Sequence, residues 1–262
     1  MSRQSTIDIP LARRDEIALR LVGGQQVGAS ELAQEFGVSD DAIRRDLRAL
    51  AAQGLCRRVY GGALPPSPAG TSMAVRIGED RERKDALAIR AAALIAPGEF
   101  LFLDSGSTNL ALASHLPPDH NLTVATNSID IASVLMPRRD LRLIMVGGVV
   151  NTYVGSAVDV DAAMAVSRMN LDRVVLGACS VSINGGISAF DPDDAAFKRT
   201  LLGVARQCLV LSTTKKLGTS GPYRVAAIPE VGTMIVEEDA EVAIIDALTR
   251  AGTTVLRADP PN

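Results

Sequence analysis

Short apolar runs that each end in a glycine-rich or hydroxyl-rich tip recur along the chain after residue 98. They occupy residues 99–104, 122–125, 141–146, 174–176 and 208–211. Segments with helical spacing, such as the Ala-rich 84–95, alternate with these runs. Buried strands that alternate with helices are typical of a mainly parallel sheet, and an aromatic content of only 3% suits a core of Ala, Val, Leu and Ile. We therefore predict an α/β fold for this region.

A proline-rich stretch separates this region from a shorter N-terminal one. Residues 64–72 read Leu-Pro-Pro-Ser-Pro-Ala-Gly-Thr-Ser. Because proline removes backbone donors and glycine loosens the chain, this composition is typical of a linker. We predict one domain at 1–63, a linker at 64–72 and a second domain at 73–262, and both domains would be of ordinary size.

The net charge of −3 argues against nucleic acid as a partner only if the charge is spread evenly. It is not, since residues 1–63 are slightly basic and the rest of the chain is acidic. Within 42–60, five arginines stand against one acidic residue, Asp46, which is a local balance of +4. A small basic patch therefore lies near the N-terminus.

The sequence has no feature of a membrane or secreted protein. No run approaches the roughly 20 consecutive apolar residues of a membrane helix, and residues 1–10 contain no apolar leader segment. Cys56, Cys179 and Cys208 lack metal-ligand spacing and are expected to behave as small apolar residues, with Cys179 at the rim of a predicted pocket. We predict a cytoplasmic protein without a metal site, and no motif indicates a cofactor.

Three short amphipathic segments fill the N-terminal region. The first spans 11–22. Ser30 is expected to cap a second helix, and Gly37 after it suits a left-handed turn. Ser39 is expected to cap a third helix at 40–53. The inward-facing positions of this third helix are Ile43, Leu47 and Leu50.

Arg44, Arg45 and Arg48 remain on the outer face of the third helix. Two helices joined by a tight turn, with arginines near the start of the second, form the helix-turn-helix arrangement. The major groove of DNA admits one such helix, and an arginine there donates two hydrogen bonds to guanine.

Residues 55–60 have strand-like content and are expected to form a wing that presents arginines to phosphates. The predicted DNA contacts are Ser39, Asp40, Arg44, Arg45, Arg48, Arg57 and Arg58. The alternative is a solvated helix face followed by a basic loop, but the caps, the turn and the wing together favour DNA binding.

The run SELAQEFGVSDDAIRRDLRALAAQGLCRRVYGGA resembles the N-terminal winged helix-turn-helix of the DeoR family of bacterial transcriptional regulators, of the GlpR type. The motif Val-Ser-x-x-x-Ile-Arg-Arg-Asp-Leu is its specific marker and spans 38–47 here. Two positions depart from the family pattern, since Ala42 replaces the usual Thr and Tyr60 the usual His. Loss of the hydroxyl at Ala42 implies one DNA contact fewer and an altered operator preference.

The apolar run at 99–104 leads into Ser-Gly-Ser-Thr and a helix at 109–116. Gly106 allows close backbone approach, while Ser107, Thr108 and the free amides at the helix start can hold an anion. Taken alone, this turn is equally consistent with an ordinary connection. Because the carboxyl ends of parallel strands converge on one crevice, the polar tips of the other runs strengthen the prediction of a pocket.

Lys198 and Lys216 are available as cations for that pocket. Lys198 lies four residues after Asp194 on a predicted helix, so the alternative is a solvated pair worth about 0.3–0.5 kcal/mol. The alternative for Lys216 is an ordinary loop charge.

The resemblance extends over nearly the whole chain, through LFLDSGSTNLALASHL, VATNS, MVGG, VVLGACS, GGISAFDPDDAAFKR and TTKKLG. It implies a sensor domain with a fold like that of ribose-5-phosphate isomerase and a phosphorylated sugar or similar anionic metabolite as effector. The predicted effector-binding residues are Asp104, Gly106, Ser107, Thr108, Asn109, Thr126, Asn127, Gly147, Gly148, Lys198 and Lys216.

Two family carboxylates are missing from this sequence. Cys179 stands where the family commonly has the Asp of Gly-Ala-Asp-Gly, and Thr213 where it has the Asp of Asp-x-Ser-Lys. Both departures affect the identity of the effector, and the extra Lys215 suggests a more anionic ligand.

The leading hypothesis is a transcriptional repressor of a carbohydrate-metabolism operon, acting as a dimer or higher oligomer on double-stranded operator DNA. The alternative is a sugar-phosphate isomerase with an appended DNA-binding domain, for which Asp104 is the best candidate base. His115 and His120 lie at a helix end or in the following loop, where capping or solvated roles are more common. Nucleotide binding is disfavoured because no acidic residue follows the loop at dinucleotide spacing.

Overall fold

The computed structural model describes residues 9–22, 25–53, 55–59, 61–64 and 72–260. Contacts within the chain divide it into two compact units, Met1–Gly70 and Thr71–Asn262. Most of the predicted linker at 64–72 lies outside the described residues, so its linker role stays a prediction.

The N-terminal unit combines helices with a small antiparallel sheet. Its elements are α1 (Ile9–Val22), β1 (Val27–Gly28), α2 (Ala29–Phe36), α3 (Asp40–Ala52), β2 (Arg57–Val59) and β3 (Gly62–Leu64). The strands pair in the order β1-β3-β2. The apolar faces of α1, α2 and α3 meet in one core that includes Ile17, Leu32 and Leu47. The predicted winged helix-turn-helix is confirmed.

The turn between α2 and α3 corrects one expectation about capping. Ser30 is not the N-cap of α2, because the helix begins at Ala29 and its N-cap is Gly28. From inside the first turn, the Ser30 hydroxyl instead donates to Asp40 Oδ2 on α3, at 2.9 Å. The other two expectations hold, since Gly37 is left-handed with φ of 63° and the Ser39 hydroxyl accepts from the Ala42 amide at 3.3 Å.

The C-terminal unit alternates helices and strands. Its helices are α4 (Met73–Gly78), α5 (Arg81–Ala92), α6 (Ser107–His115), α7 (Ile129–Leu135), α8 (Val160–Val166), α9 (Pro192–Val204) and α10 (Val242–Arg250). Its strands are β4 (Phe100–Leu103), β5 (Thr123–Thr126), β6 (Arg142–Met145), β7 (Val150–Asn151), β8 (Ser156–Ala157), β9 (Leu171–Leu176), β10 (Ser180–Ser182), β11 (Gly186–Ala189), β12 (Ala205–Ser212), β13 (Tyr223–Ala226), β14 (Thr233–Val236) and β15 (Thr254–Arg257).

The described strands include a parallel sheet of seven, in the order β15-β14-β12-β9-β4-β5-β6. Side chains alternate across it, so Leu101 and Leu103 enter one apolar core while Phe102 enters the other. Phe102 contacts Phe197 of α9 there, with ring centroids 6.0 Å apart. Burial on both faces explains the near-continuous apolar runs, and the predicted α/β fold is confirmed.

Two smaller pieces of antiparallel structure were not expected from the sequence. The strands β10, β11 and β13 form a second sheet, and β7 pairs with β8.

Helix α5 occupies Arg81–Ala92 rather than the predicted 84–95. It ends early because the backbone tightens after Ala92, where the amides of Leu94 and Ile95 donate to carbonyl oxygens three residues back.

Candidate functional site

Helix α3 presents three exposed arginines, Arg44, Arg45 and Arg48. Its opposite face is buried, so the helix cannot turn these side chains inward without exposing its core positions. At the N-terminal end Ser39 is exposed, whereas Asp40 is partly buried and accepts the Ser30 hydroxyl. Asp40 therefore links α2 to α3, and its predicted DNA contact stays a prediction.

The acidic residue of this basic segment is not on the arginine face. Asp46 is buried and accepts from Arg13 Nε at 2.7 Å and from Arg14 Nη2 at 3.2 Å, both on α1. Its charge is therefore balanced by α1, and it fixes α1 against α3. Among the described residues, the only carboxylate within 4 Å of these exposed arginines is that of Asp41, which lies 3.8 Å from Arg44 and is highly exposed.

The predicted wing is a hairpin of β2 and β3. Arg58 is exposed on β2 and lies opposite Ala63 in the register. Arg57 lies opposite Leu64, but its side chain and the whole of Tyr60 lie outside the described part of the chain. The structure thus places Arg58 on a surface where a phosphate can approach, and the contact itself stays a prediction.

The loop after β4 and the start of α6 form the predicted phosphate loop. Gly106 has φ of 152°, a conformation that side chains disfavour. An added Cβ at Gly177 would lie 2.2 Å from the Ser105 carbonyl oxygen, so the ends of β4 and β9 approach closely only because Gly177 has no side chain. Thr108 is buried and its hydroxyl has no hydrogen-bond partner among the described residues. An anion at the start of α6 would supply one.

Asp104, Lys198 and Asp194 form a buried triad of charges. Lys198 Nζ lies 2.9 Å from Asp104 Oδ2 and also donates to Asp194 Oδ1. All three side chains are at most 3% exposed. The solvated pair considered for Asp194 and Lys198 is therefore wrong, because the third charge comes from β4 and the site is closed to water.

The carboxyl of Asp104 and the ammonium of Lys198 hold their protons more tightly than usual. Burial raises the pKa of Asp104, against the opposing effect of Lys198. Burial opposes the charge of Lys198, but the carboxylates of Asp104 and Asp194 outweigh it and raise its pKa. Two carboxylates and one ammonium carry one net negative charge, and a buried group of this kind favours proton retention. Lys198 is thus engaged within the triad, and its predicted contact with an effector stays a prediction.

Asn109 and Thr126 are buried beside this loop and use their polar groups within the protein. Asn109 Nδ2 donates to the carbonyl oxygens of Asp104 and Val175, at 2.9 and 3.0 Å. Thr126 Oγ1 donates to the Leu103 carbonyl at 2.7 Å. These contacts position the strand tips, while direct contact of either residue with an effector stays a prediction.

The tip of β5 presents two further oxygens without a partner. Asn127 Nδ2 donates to the Ala157 carbonyl at 3.0 Å, but Asn127 Oδ1 is buried and unpartnered within the described ranges. The hydroxyl of Ser156, on the adjoining β8, is likewise buried and has no hydrogen-bond partner within the described ranges. Buried polar atoms are usually hydrogen-bonded, so these oxygens are suited to a ligand with hydroxyl groups.

Gly147 and Gly148 lie on the exposed connection between β6 and β7, and β6 is the neighbour of β5 in the sheet. Gly148 abuts the carboxylate of Asp159, which accepts from the Val149 amide at 2.8 Å and caps α8. No hydrogen bond joins either glycine to the loop after β4 in the part of the chain that the structure describes. Their role in effector binding stays a prediction.

Lys216 follows β12 in a short helical turn and is partly buried. Its backbone bonds to Thr213 and Thr219, whereas its side-chain ammonium makes no hydrogen bond or ion pair with any described residue. Burial lowers its pKa to about 8; Cys179 opposes this shift, whereas the cations Arg76, Lys84 and Lys198 add to it. Its environment is therefore a cluster of positive charge, which differs from that of an ordinary loop lysine.

Sequence reasoning missed four residues of this site, Arg76, Lys84, Ser156 and Ser180. Arg76 Nε is buried and unpartnered among the described atoms, and so is the hydroxyl of Ser180 on β10. Lys84 donates to the carbonyl oxygens of Arg76 and Glu79 and so holds α4 against α5. Arg76 and Lys84 precede the first predicted strand and lie in no motif, so no local pattern could have found them.

The extra lysine at 215 does not add charge to the pocket. Lys215 is exposed and pairs with Asp80, Nζ to Oδ2 at 2.7 Å. The suggestion of a more anionic ligand therefore loses its original basis.

Burial raises the pKa of the Cys179 thiol and raises the pKa of the Cys208 thiol to about 12, so both thiols stay neutral near pH 7.

We use the name strand-tip cluster for the polar residues at the carboxyl ends of the adjacent strands β12, β9, β4 and β5, together with polar residues of β8, β10 and α9 and the two cations that α4 and α5 contribute. Its members are Arg76, Lys84, Asp104, Gly106, Ser107, Thr108, Asn109, Thr126, Asn127, Ser156, Cys179, Ser180, Asp194, Lys198 and Lys216. Four parallel strands that end together in this way form a crevice, which is where ligands bind in open parallel sheets.

Two family models match the chain. The DeoR C terminal sensor domain matches residues 79–238, and the DeoR-like helix-turn-helix domain matches residues 13–69. The chain belongs to the DeoR family of transcriptional regulators. As a member of that family it binds DNA through its helix-turn-helix and carries a sensor domain for a small-molecule effector.

Relatives of this DeoR-family regulator span nearly its whole length. It is 31% identical over 224 residues to the glycerol-3-phosphate regulon repressor of Escherichia coli K12, covering 85% of this chain and 89% of the relative. It is 28% identical over 249 residues to the putative aga operon transcriptional repressor of E. coli O157:H7, covering 93% and 92%. Ribose 5-phosphate isomerase A of Methanocaldococcus jannaschii aligns with 15% identity over 53% of this chain and 55% of the isomerase, with a TM-score of 0.38.

The isomerase alternative is not supported for this regulator. Its relatives are transcriptional repressors with a helix-turn-helix domain, so the protein is a regulator and not an enzyme. Asp104, the candidate base, is engaged with Lys198 inside the triad.

No helix in the described ranges is long and apolar enough to cross a membrane. No group of His, Cys, Asp and Glu side chains among the described residues is arranged to hold a metal ion.

Proposed function

We propose that this regulator represses an operon of carbohydrate metabolism in the cytoplasm and that a phosphorylated sugar, or a similar anionic metabolite, changes its affinity for the operator. The observation that carries the proposal is the start of α6, where the buried Thr108 hydroxyl has no partner among the described residues and the backbone amides are free to bind an anion. The relative named for the glycerol-3-phosphate regulon supports an effector of the phosphorylated carbohydrate class.

The proposal assigns a separate function to each of the two units. Residues 1–63 bind the operator, 73–262 bind the effector and 64–72 link them. Arg44 and Arg48 lie one helical turn apart on α3 and are suited to base edges in the major groove, whereas Arg58 on the wing is suited to phosphates. Because helix-turn-helix proteins commonly read two half-sites, we propose that the protein binds its operator as a dimer or higher oligomer.

Regulation requires that the effector has different affinities for two states of the protein. Coupling of this kind is typically worth about 1–3 kcal/mol, or about 5–150-fold in operator affinity. The strand-tip cluster can supply such a difference because its unpartnered atoms lie on several separate elements, so their arrangement around a ligand can differ between two states.

Operator binding and effector binding are tested in one assay. Purified protein is titrated into labelled DNA from upstream of its neighbouring genes and into scrambled DNA, by fluorescence anisotropy at several salt concentrations. We expect salt-sensitive binding that prefers the upstream DNA by at least about a thousandfold. Glucose 6-phosphate, ribose 5-phosphate and glycerol 3-phosphate are then added, and at least one should change the affinity. Equal affinity for both DNA fragments would contradict the proposal.

A further inference from the structure

Exposed apolar side chains are concentrated at one edge of the seven-stranded sheet. More than half of the large apolar side chains that are exposed in the described residues lie in the short segment 129–164. This segment holds α7, β6, the hairpin of β7 and β8, and α8. Single exposed apolar residues are normal on a protein surface, whereas a concentration of them marks a place where another molecule binds.

We use the name β6 edge patch for the exposed apolar residues that surround the carboxyl end of β6. Its members are Ile129, Met145, Val149, Val150, Tyr153, Val160 and Met164. On α8, Val160 and Met164 lie four residues apart and therefore project from the same side of the helix. Ala162 and Val166 of the same helix are buried, so α8 packs on the core and leaves this apolar side uncovered.

Backbone contacts hold the separate segments of the β6 edge patch together. The Val149 amide donates to the carboxylate of Asp159, the N-cap of α8, at 2.8 Å. Val150 pairs with Ala157 across the hairpin. Ser128, the N-cap of α7, forms a bridge with β8. The connection after β6, the hairpin and the starts of α7 and α8 therefore form one continuous surface.

Strand β6 leaves one of its sides open for pairing. It pairs with β5 and with no other described strand. The amides of Arg142 and Val146 donate to carbonyl oxygens on the β5 side, at 2.9 and 2.8 Å. Because backbone groups alternate along a strand, those of Leu143 and Met145 face away from β5. Another strand can therefore add to the sheet at this edge.

The size and charge of the β6 edge patch suit a second copy of this chain. Its seven residues expose roughly 700 Å² in total, which exceeds the largest apolar patch of about 300–600 Å² on a typical monomer. This area is close to the roughly 800 Å² that each partner contributes to a standard interface. Arg142 and Asp161 are both exposed beside the patch, so charges of both signs are available when the patch meets its own copy.

We propose that a second copy of this chain docks on the β6 edge patch, patch against patch about a two-fold axis, with the two β6 strands antiparallel. The proposal rests on the proposed function, in which the regulator acts as a dimer or higher oligomer. A two-fold axis brings the same surface of both copies together, and antiparallel β6 strands supply each other with backbone donors and acceptors. Ser156 of the strand-tip cluster lies on β8, so one hairpin belongs to both the interface and the cluster.

Sedimentation velocity of the full-length protein over a series of concentrations tests this interface. Val160→Glu places a carboxylate in the patch of each copy, so docking of patch on patch brings like charges together. Glutamate is favourable in the first turn of a helix, so α8 should still fold. Where the wild type is assembled, we expect this variant to sediment at half the wild-type mass or less. Met164→Glu should give the same result.

Val242→Glu is the matched control. Val242 is also the first residue of its helix, and its exposed fraction is 63% against 73% for Val160. Its helix, α10, contacts β15, the strand at the opposite edge of the sheet. This variant should keep the wild-type mass, and so should Val160→Leu, which leaves the patch apolar. Thermal unfolding followed by circular dichroism establishes that each variant is folded.

The outcomes separate this inference from the proposed function. If the patch variants keep the wild-type mass, or if Val242→Glu dissociates the protein equally, the docking surface is wrong while the proposed function stands. A wild-type protein that is monomeric while it binds its operator specifically would also overturn the inference and leave operator recognition intact. If the patch variants dissociate but the wild type binds upstream and scrambled DNA equally, the docking surface stands and the proposed function is contradicted.

Discussion

The two units use buried charge in the same way but leave their functional cations in different surroundings. In the N-terminal unit, Asp46 is buried against Arg13 and Arg14 and joins α1 to α3. In the C-terminal unit, Lys198 is buried between Asp104 and Asp194 and joins β4 to α9. In each case the ion pair fixes two elements, and the cations proposed to bind a ligand lie elsewhere.

The contrast lies in the exposure of those remaining cations. Arg44, Arg45 and Arg48 are exposed to solvent, where DNA can reach them. Lys216 is partly buried among other cations, which together with burial lower its pKa to about 8. We therefore expect the proposed effector site to respond to pH as well as to an anion.

The largest expected effect comes from removing the shared cation of the triad. Lys198→Met leaves two buried carboxylates without a counter-ion and should lower the free energy of unfolding of the C-terminal unit by about 3–5 kcal/mol. Urea unfolding followed by circular dichroism measures it. The matched control, Lys215→Met, breaks an exposed pair and should cost no more than about 1 kcal/mol. Equal effects from the two variants would show that the triad is not structurally important.

The N-terminal unit offers a similar test in which charge and structure give opposite expectations. Asp46→Asn makes the unit more basic, which by charge alone would strengthen DNA binding. Because Asp46 holds α1 against α3, we expect the variant instead to lose about 2–3 kcal/mol of stability and to bind the operator more weakly.

Thermal unfolding and DNA titration of the full chain measure both quantities for Asp46→Asn. The control is Asp41→Asn, which removes an exposed carboxylate from the same helix and should leave stability nearly unchanged. Tighter operator binding by Asp46→Asn, with unaltered stability, would refute the structural role of Asp46.

Substitutions of different arginines in the N-terminal unit should change DNA binding in different ways. Arg44→Gln should reduce discrimination between operator and scrambled DNA by about 1–3 kcal/mol if it contacts a base edge. Arg58→Gln should weaken binding to both DNAs equally and reduce the slope of log affinity against log salt by about one, as expected for a phosphate contact. Anisotropy titrations at several salt concentrations distinguish the two patterns. A shared pattern would mean that α3 does not read bases.

The smallest expected effect is a pH dependence confined to the effector site. Lys216 faces Arg76 on α4, Lys84 on α5, Lys198 on α9 and the Cys179 thiol, and its pKa of about 8 lies below the usual value for lysine. Since an anion binds the protonated form, effector affinity should be level near pH 7 and should fall as pH rises through 8, by at most about tenfold per unit.

Calorimetric titrations between about pH 7 and 9.5 measure this slope, a range above the phosphate pKa of about 6. In Lys216→Arg the side chain stays charged, so the affinity should remain level across the range. An affinity that falls equally in both proteins would assign the titration to another group.

Local patterns in the sequence predicted most of the fold. The apolar runs predicted parallel strands that are buried on both faces, and Leu101, Phe102 and Leu103 fulfil this by alternating between two cores. The antiparallel strands β10, β11 and β13 were not predicted, because each has only three or four residues and no clear alternation. The prediction that Ser30 is the N-cap of α2 was wrong, because the Ser30 hydroxyl bonds instead to Asp40, which lies beyond the turn.

The candidate site was predicted less completely, since its chemistry depends on contacts between distant parts of the chain. The spacing of Asp194 and Lys198 is the same for a solvated pair and for a buried one, and only the approach of Asp104 from β4 decides between them. Arg76 and Lys84 could not be recognised, because what distinguishes them is proximity to Lys216, more than a hundred residues later.

The close approach at Gly177 has a practical consequence for anyone who wishes to retarget this sensor. A methyl group there would collide with the Ser105 carbonyl and with the carboxylate of Asp104, so this position does not accept a residue other than glycine. Its neighbours Cys179 and Ser180 already carry side chains and belong to the strand-tip cluster. A library of altered ligand preferences should therefore randomise positions 179 and 180 while residue 177 stays glycine.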